Sequence, residues 1–394
     1  MPLLPSRALT NTATEHLADH NQAHPKLNAI GDLKADFGAV GDGVADDSSA
    51  LTNAMAAGIP VVAPDGTYLV GGNFTPPAGR AAVILGQGPE RTIFKAKTGT
   101  TGPLFNITYA AQKHGIILQG FQVDMANAAT QTAVYLNNID ISEVRNVRVR
   151  NGDYGFKCGL VQLTDFVKCH TLNTSVAGYY VGDANSSEDH FISCYHSTNG
   201  TSCVAGFDFA GGIDQWCINC ASFRAPGGAF DLQYGYRFSY TVANYNATAK
   251  LLGCTADAIS DRTSDSATVA ALYMKGVGNC DIINSFLDGY SLSDLTSNPA
   301  VKIDDCRSLR FTQNRLGGRG VLFGSTAVSD TISFAQQEFF EGNAGATGMY
   351  VLPASNPPTK VIESGSYLGN GSLNLPLAND FSRWATATAD RYGS

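Results

Sequence analysis

A short pattern of apolar, variable and apolar residues recurs along the chain from about Ile116 onward. Its steps are between 20 and 29 residues, apart from one step of 42, and repeats of this length are typical of solenoids. Because side chains alternate between the two faces of a strand, the apolar outer members should fill the interior and the middle members should form an outer line. The triplets are Val134-Tyr135-Leu136, Phe156-Lys157-Cys158, Tyr179-Tyr180-Val181, Phe207-Asp208-Phe209, Phe230-Asp231-Leu232, Leu272-Tyr273-Met274, Val301-Lys302-Ile303, Val321-Leu322-Phe323 and Met349-Tyr350-Val351.

A second apolar position recurs in each repeat and predicts an interior column. Its members are Val147, Cys169, Cys194, Cys220 and Cys254. Neighbouring coils of a solenoid lie about 4.8 Å apart, which is within the Cα range of a disulfide. The nine cysteines are, however, an odd number spread through a large chain, so we interpret the column as buried, reduced thiols without metal.

The pattern before the repeats is different and predicts a tight turn followed by a helix. Glycine and aspartate are dense between Asp36 and Gly43, which favours a turn-rich loop over a strand. Asp46, Asp47 or Ser48 can cap a helix. Its apolar face would hold Ala50, Leu51, Ala54 and Met55, and it would end at Gly58 and Pro60.

This N-terminal quarter resembles the pectate-lyase-like superfamily, and most closely its bacteriophage tailspike and tail-fibre branch. The matching segments are Asp36-Phe37-Gly38-Ala39, Asp46-Asp47-Ser48, Pro64 to Tyr68 and Leu85 to Gly88 with Thr92-Ile93. The resemblance implies an all-β fold, a right-handed single-stranded parallel β-helix whose N-terminal helix caps the solenoid. We therefore divide the chain into an attachment or oligomerisation segment (1–33), the cap and first coils (34–115), the β-helix body (116–370) and a C-terminal tail (371–394).

Composition excludes several partners. The net charge of −8 and the 15% of charged residues argue against nucleic acid and anionic membranes. No signal-peptide pattern follows Met1, and no apolar run is long enough for membrane insertion. His16, His20 and His24 would share a helix face, as in a metal site or around a trimer axis, although an ordinary polar face is the stronger interpretation. We expect no cofactor and no metal.

The outer line of the repeats carries the candidate chemistry. The triplet pattern predicts equivalent positions one coil apart for Asp208 and Asp231, which would place their carboxyls at about the 5 to 5.5 Å of a retaining glycosidase pair. We assign these two residues as candidate catalytic groups. Sugar rings would stack on Tyr135, Tyr180 and Tyr273, with Lys157 as a further contact. Other acids, among them Asp183, Glu188, Asp189 and Asp214, are interpreted as turn residues.

The resemblance implies a phage virion protein, made in the host cytoplasm, that binds host surface polysaccharide, with or without hydrolysing it. It further implies a homotrimer attached to other tail or baseplate proteins through the N-terminal segment. The alternatives are a non-enzymatic carbohydrate-binding or structural module and a cellular polysaccharide lyase or hydrolase. Pectin chemistry is disfavoured because the Asn-Thr-Asp, Gly-His-Gly and Arg-Ile-Lys motifs of polygalacturonases are missing.

Overall fold

The computed structural model describes residues 30–126, 131–199, 202–224, 232–257, 269–289, 299–304, 306–317, 320–323, 331–335, 337–339, 350–351, 361–364 and 367–368. Outside these residues lie residues 1–29 of the predicted attachment segment with the histidine row, the whole predicted C-terminal tail (371–394), and Asp231. The single helix of the described part, α1, spans Ser48–Ala57.

All other regular elements are strands. The strands β1 to β33 are, in chain order, Gly31–Asp32, Asp42–Asp46, Val61–Ala63, Gly66–Val70, Val83–Gly86, Thr92–Ala96, Phe105–His114, Ile117–Gln119, Gln122–Asp124, Thr132–Arg145, Arg148–Arg150, Tyr154–Cys158, Val161–Val167, His170–Leu172, Ala177–Val181, Ser187–Ile192, Tyr195–Thr198, Cys203–Phe209, Ile213–Ile218, Ala221–Arg224, Leu232–Leu252, Thr255–Asp257, Ala270–Ile283, Phe286–Leu287, Val301–Asp304, Ser308–Thr312, Arg315–Leu316, Val321–Phe323, Thr331–Ala335, Glu338–Phe339, Tyr350–Val351, Val361–Ser364 and Tyr367–Leu368.

The strands form three parallel walls that wind around one core. The first wall runs from β7 through β10, β12, β15, β18, β21, β23, β25 and β28 to β31. The second wall includes β8, β10, β13, β16, β19, β21, β23, β26, β29 and β32, so the long strands β10, β21 and β23 belong to both. The third wall is a separate 13-stranded sheet. This arrangement confirms the predicted parallel β-helix.

The outer members of the triplets fill the core, as predicted, wherever the structure describes their side chains. Aromatic rings stack from coil to coil, with ring centroids 5.4 Å apart between Phe156 and Tyr179, 4.6 Å between Tyr179 and Phe207, and 5.0 Å between Phe207 and Tyr236. Stacked aromatic pairs contribute about 0.5–1.5 kcal/mol beyond the area they bury. These rings therefore fix the register between neighbouring coils.

The predicted cysteine column is also present. Each thiol of the column lies near a backbone carbonyl of the preceding coil, as in Cys169 to Val144 (Sγ–O 3.2 Å) and Cys220 to Phe191 (2.9 Å). All nine cysteines are buried free thiols. The predicted burial of the column is therefore confirmed, and the reduced state of its thiols stays a prediction.

Helix α1 forms where the sequence predicts it, but the residues before it behave differently. Asp42–Asp46 is a strand of the third wall, although a loop was expected. The Asp47 carboxylate does not cap the helix; it accepts hydrogen bonds from the backbone N–H groups of Val40 and Gly41 (2.7 and 3.1 Å). The role of α1 as the cap of the solenoid stays a prediction. In the described part of the chain, no helix has the length and apolarity needed to cross a membrane.

A buried histidine on the third wall makes stability depend on pH. His196 is fully buried beside Thr171 (Nδ1–Oγ1 3.0 Å). It packs so closely on Gly178 that a Cβ there would lie 2.5 Å from Nδ1. Burial, together with the neighbouring His170, lowers the pKa of His196 to about 3.

We predict that acid destabilises the protein through His196. Its folded pKa lies below the unfolded value, so the stabilisation is complete above about pH 6.5 and falls as pH drops, because only the unfolded chain takes up the proton. The loss amounts to about 1.4 kcal/mol per pH unit. Urea unfolding measures the free energy of unfolding at pH 7.0 and at pH 5.0. The difference between these two values should be about 2 kcal/mol smaller in His196→Thr than in the wild type. An unchanged pH difference in the variant would refute this assignment.

Candidate functional site

The middle residues of the triplets form a line along the first wall, which we call the tyrosine stripe. Parallel register connects its members coil by coil. They are Tyr135, Lys157, Tyr180, Asp208, Arg237, Tyr273, Lys302 and Leu322. The line agrees with the prediction except at two positions: Arg237 stands where Asp231 was expected, and Val351, not Tyr350, is level with Leu322.

The predicted register of Asp231 was therefore wrong. Asp208 is level with Arg237, and Leu232 is level with Cys203 near the start of β18. The triplet that stacks on Phe207 and Phe209 is Tyr236-Arg237-Phe238. The position beside Asp208 in the next coil thus holds a guanidinium, not a second carboxylate.

Asp208 and Arg237 form a buried ion pair. The Asp208 carboxylate is 1% exposed, and Arg237 donates to both of its oxygens (Nε–Oδ1 2.8 Å, Nη2–Oδ2 2.5 Å). This bidentate geometry is the strong form of a charge-assisted hydrogen bond. The carboxylate is therefore engaged within the protein, and its position suits support of the stripe rather than proton transfer.

A groove of about 840 Å³ lies on the second wall. Its floor contains a second outward line, joined by register from coil to coil. Within the groove this line is formed by His190, Trp216, Lys250, Asp281 and Arg310, and Asp165 continues it one coil before the groove. The groove therefore combines an indole ring, cations and carboxylates along one face.

Trp216 is the centre of this line. The Lys250 ammonium lies 3.8 Å from its ring centroid, and the His190 ring lies 5.0 Å away. The Asp165 carboxylate accepts a hydrogen bond from His190 (Oδ1–Nδ1 2.9 Å), and this bond orients the imidazole. Farther along, Arg310 pairs with Asp281 at 2.9 Å. A polar ligand in the groove would meet an aromatic surface flanked by charged groups.

Two carboxylates stand at the corner between the first and second walls. The residues on both sides of Glu188 in β16 pair with the residues on both sides of Asp214 in β19. The two acids therefore occupy equivalent positions in neighbouring coils. Both have left-handed backbone (φ 55° and 58°), and so do Ile141 and Leu163, the corner residues of the two preceding coils. Ile141 and Leu163 are 61% and 48% exposed. Because apolar residues serve the same corner, its backbone does not require the two acids.

The environments of these carboxylates differ. Glu188 is exposed, whereas Asp214 is half-buried and accepts a hydrogen bond from the Thr248 hydroxyl. Burial raises the pKa of Asp214, the neighbouring Glu188 raises it further, and Lys250 lowers it. A carboxyl group with a raised pKa beside an ionised one is the arrangement that acid–base catalysis uses.

The other polar residues noted in the sequence lie apart from this groove. Asp189 points into the core, where the Gln215 amide and the Thr164 N–H donate to it, and burial raises its pKa well above the usual range. His170 and His196 belong to the third wall. Among the described residues, no group of three or more histidines, cysteines and acids is arranged to hold a metal ion.

Sequence reasoning did not assign Trp216 and Lys250 to a site, and it interpreted Glu188 and Asp214 as turn residues. One signal was available: the corner position is apolar in two coils and acidic in the next two. Recognising it required the register of the second wall, whose strands carry no repeated triplet.

Comparison with known proteins supports the fold. The family described as rhamnogalacturonase A/epimerase, pectate lyase-like, matches residues 35–114. No curated protein matches the chain by sequence. The A-module of the mannuronan C-5 epimerase AlgE4 from Azotobacter vinelandii superposes with a TM-score of 0.60 at 15% identity, covering 88% of this chain and 99% of the module.

Two other solved structures share the fold. The gp42 tailspike of Acinetobacter phage vb_AbaP_AS12 has a TM-score of 0.56 at 14% identity, over 90% of this chain and 66% of the tailspike. The catalytic unit of a GH87 alpha-1,3-glucanase from Streptomyces thermodiastaticus has a TM-score of 0.56 at 13% identity, over 86% and 69% of the two chains. Residues 35–114 thus carry the sequence signature of the pectate-lyase-like superfamily and the described chain has its parallel β-helix fold, which confirms the predicted resemblance.

Proposed function

We propose that this protein binds polysaccharide of a host cell surface and hydrolyses it in the groove on the second wall. The observation that carries the proposal is the level pair Glu188 and Asp214 beside Trp216. Adjacent coils are about 4.8 Å apart, and retaining glycosidases hold their two carboxyls about 5–5.5 Å apart. The pair that the sequence suggested at Asp208 and Asp231 is thus replaced by a pair of similar spacing on the neighbouring wall.

The environments of the two carboxyls suggest their roles. Asp214, with its raised pKa, would donate a proton to the glycosidic oxygen as that bond breaks. Glu188, which is exposed, would attack the anomeric carbon and form a glycosyl ester. Asp214, now ionised, would then deprotonate a water molecule that attacks the same carbon, releases Glu188 and leaves a reducing end.

The remaining residues would bind the chain on either side of the bond. Trp216 offers an aromatic ring on which a sugar can stack beside the Lys250 ammonium, which lies over the ring 3.8 Å from its centroid, and the His190 ring of the preceding coil. The sugar contacts expected at Tyr135, Tyr180, Tyr273 and Lys157 remain part of the proposal, because these residues lie together on the tyrosine stripe. Asp208 is assigned a positioning role through Arg237.

The setting we propose is a phage tail. The shared fold with phage structural proteins supports this, although the same fold occurs in epimerases and glucanases. A homotrimer joined to other tail or baseplate proteins through residues 1–33 is the expected assembly. Sedimentation equilibrium of the full chain should give three times the chain mass, and a mass of one chain would contradict the trimer.

Activity is tested by incubating the protein with capsules and lipopolysaccharides from a panel of bacteria. We expect new reducing ends without new absorbance from unsaturated sugars, because hydrolysis forms no double bond. Unsaturated products would indicate a lyase. Binding without any product would favour the alternative of a non-enzymatic carbohydrate-binding module.

We predict that Trp216→Ala weakens polysaccharide binding about tenfold, because one aromatic stacking contact contributes about 1–1.5 kcal/mol. Titration with the cleaved polysaccharide should show a higher Kd. The matched control is Tyr195→Ala, an aromatic residue that is 45% exposed on the third wall. Equal losses in both variants would remove Trp216 from the site.

A further inference from the structure

Lysine and arginine side chains lie on tyrosine rings along the first wall. The Lys157 ammonium is 4.6 Å from the ring centroid of Tyr154 and 5.9 Å from that of Tyr180. The two rings are themselves in edge contact, with centroids 5.3 Å apart. Lys157 is thus held between two aromatic rings at a partly exposed position.

The same combination recurs from the third coil onward. Arg237 lies 5.7 Å from the Tyr234 ring, and Lys302 lies 5.6 Å from the Tyr273 ring. Tyr234 and Tyr273 stack with centroids 5.4 Å apart. Cations and aromatic rings are therefore a regular feature of this wall rather than a single contact.

The cations differ in how they are neutralised. Arg237 is neutralised by the buried carboxylate of Asp208. Among the residues that the structure describes, no carboxylate forms an ion pair with Lys157. In a chain of net charge −8, an ammonium held by rings alone is a local positive centre, and it keeps its capacity to donate hydrogen bonds to an anion.

Glycines beside two of the tyrosine rings leave room for these rings against the backbone. A Cβ on Gly182 would lie 2.5 Å from Cε1 and 2.9 Å from Cζ of Tyr180. Tyr180 therefore rests against the backbone of its own strand, which lacks a side chain at this point. A Cβ on Gly159 would likewise lie 3.1 Å from the Tyr135 hydroxyl. Tyr135 and Tyr180 stay partly exposed in these positions, so a ligand can reach them.

A sugar ligand suits this surface better than a second copy of the chain. The cores of protein–protein interfaces are depleted in lysine, whereas Lys157 lies in the middle of the aromatic group. Stacking on tyrosine faces and hydrogen bonding to an ammonium are together the contacts that a sugar ring with an acidic substituent makes.

We infer that the tyrosine stripe around Lys157 binds anionic sugar units, with the acidic substituent on the Lys157 ammonium and the sugar rings on Tyr180 and Tyr154. This inference rests on the proposed function, because it names the class of polysaccharide that the protein takes. It predicts that uronic acids or sulfated sugars are preferred over neutral sugars of the same shape.

The test is calorimetric titration of the full chain with hexagalacturonate, with its carboxyl-reduced neutral counterpart and with a sulfated hexasaccharide. We expect at least one anionic ligand to bind at least tenfold more tightly than the neutral one, and binding to weaken as salt is raised. Lys157→Gln should remove most of this preference. The control is Lys168→Gln, because Lys168 is exposed and lies outside the tyrosine stripe. Glutamine suits its left-handed backbone, since Gln313 has the same conformation at the equivalent position of a later coil.

Several outcomes would overturn the inference. These are equal binding of the anionic and neutral ligands, no binding of either anionic ligand at millimolar concentration, and the same loss in both lysine variants. A lower oligomer mass in Lys157→Gln with unchanged sugar binding would instead assign the stripe to contacts between copies. Trp216→Ala separates this site from the groove: it should reduce cleavage of capsule and leave the preference for the anionic ligand intact.

Discussion

Replacing Asp214 with asparagine is expected to slow polysaccharide cleavage by about 10²–10⁴-fold, the range contributed by a general acid–base group. The fold should be preserved, because asparagine accepts the left-handed backbone of this corner. It also removes the carboxyl proton that Asp214 would donate while keeping the size of the side chain. Initial rates of reducing-end formation at saturating substrate measure the effect.

The controls for this prediction come from the same column. Leu163→Asn places the same amide at the corner position one coil before Glu188. This change should leave the rate within a factor of about two. Glu188→Gln should be as damaging as Asp214→Asn, because the two groups act on the same bond. The wild-type rate should fall as pH rises through the raised pKa of Asp214, since only the protonated form donates. Full activity in either acid variant would remove the pair from the mechanism.

The second large effect is expected at the buried ion pair. Arg237→Ala leaves the Asp208 carboxylate, which is 1% exposed, without its partner. Removing one member of a buried pair costs about 3–5 kcal/mol. Denaturant unfolding at pH 7 should show a loss of this size.

The opposite change should be milder. In Asp208→Ala the guanidinium that remains is on a side chain 26% exposed, so it can reach water along its flexible stem. The double variant Asp208→Asn with Arg237→Gln keeps a neutral hydrogen-bonding pair and should also be milder than Arg237→Ala. If Asp208→Ala lost more free energy of unfolding than Arg237→Ala, the unpaired Asp208 carboxylate would not be the source of the instability.

The fold could be predicted because its signals are local and repeated. The apolar triplets and the cysteine column identified core positions in successive coils without knowledge of the distance between walls. The register failed at Asp231 because Phe230-Asp231-Leu232 and Tyr236-Arg237-Phe238 have the same pattern. The stacking of Tyr236 on Phe207 and of Phe238 on Phe209 distinguishes them.

The groove could not be predicted in the same way. Glu188 and Asp214 are separated by a full coil and by residues that belong to the third and first walls. Each is an ordinary polar residue near a turn when considered alone. Their relation depends on the left-handed corner, which places Ile141, Leu163, Glu188 and Asp214 in one column. Backbone conformation of this kind is set by packing between walls and has no compositional signature.

The buried cysteines make the unfolding of this protein observable coil by coil. They are distributed along the body from Cys158 to Cys306, and none is accessible in the folded chain. An alkylating reagent can therefore modify a given cysteine only after its own coil has opened. Mass spectrometry of the modified peptides over time would give the rate at which each native thiol is alkylated. These rates would show whether the solenoid opens from one end or as a single unit.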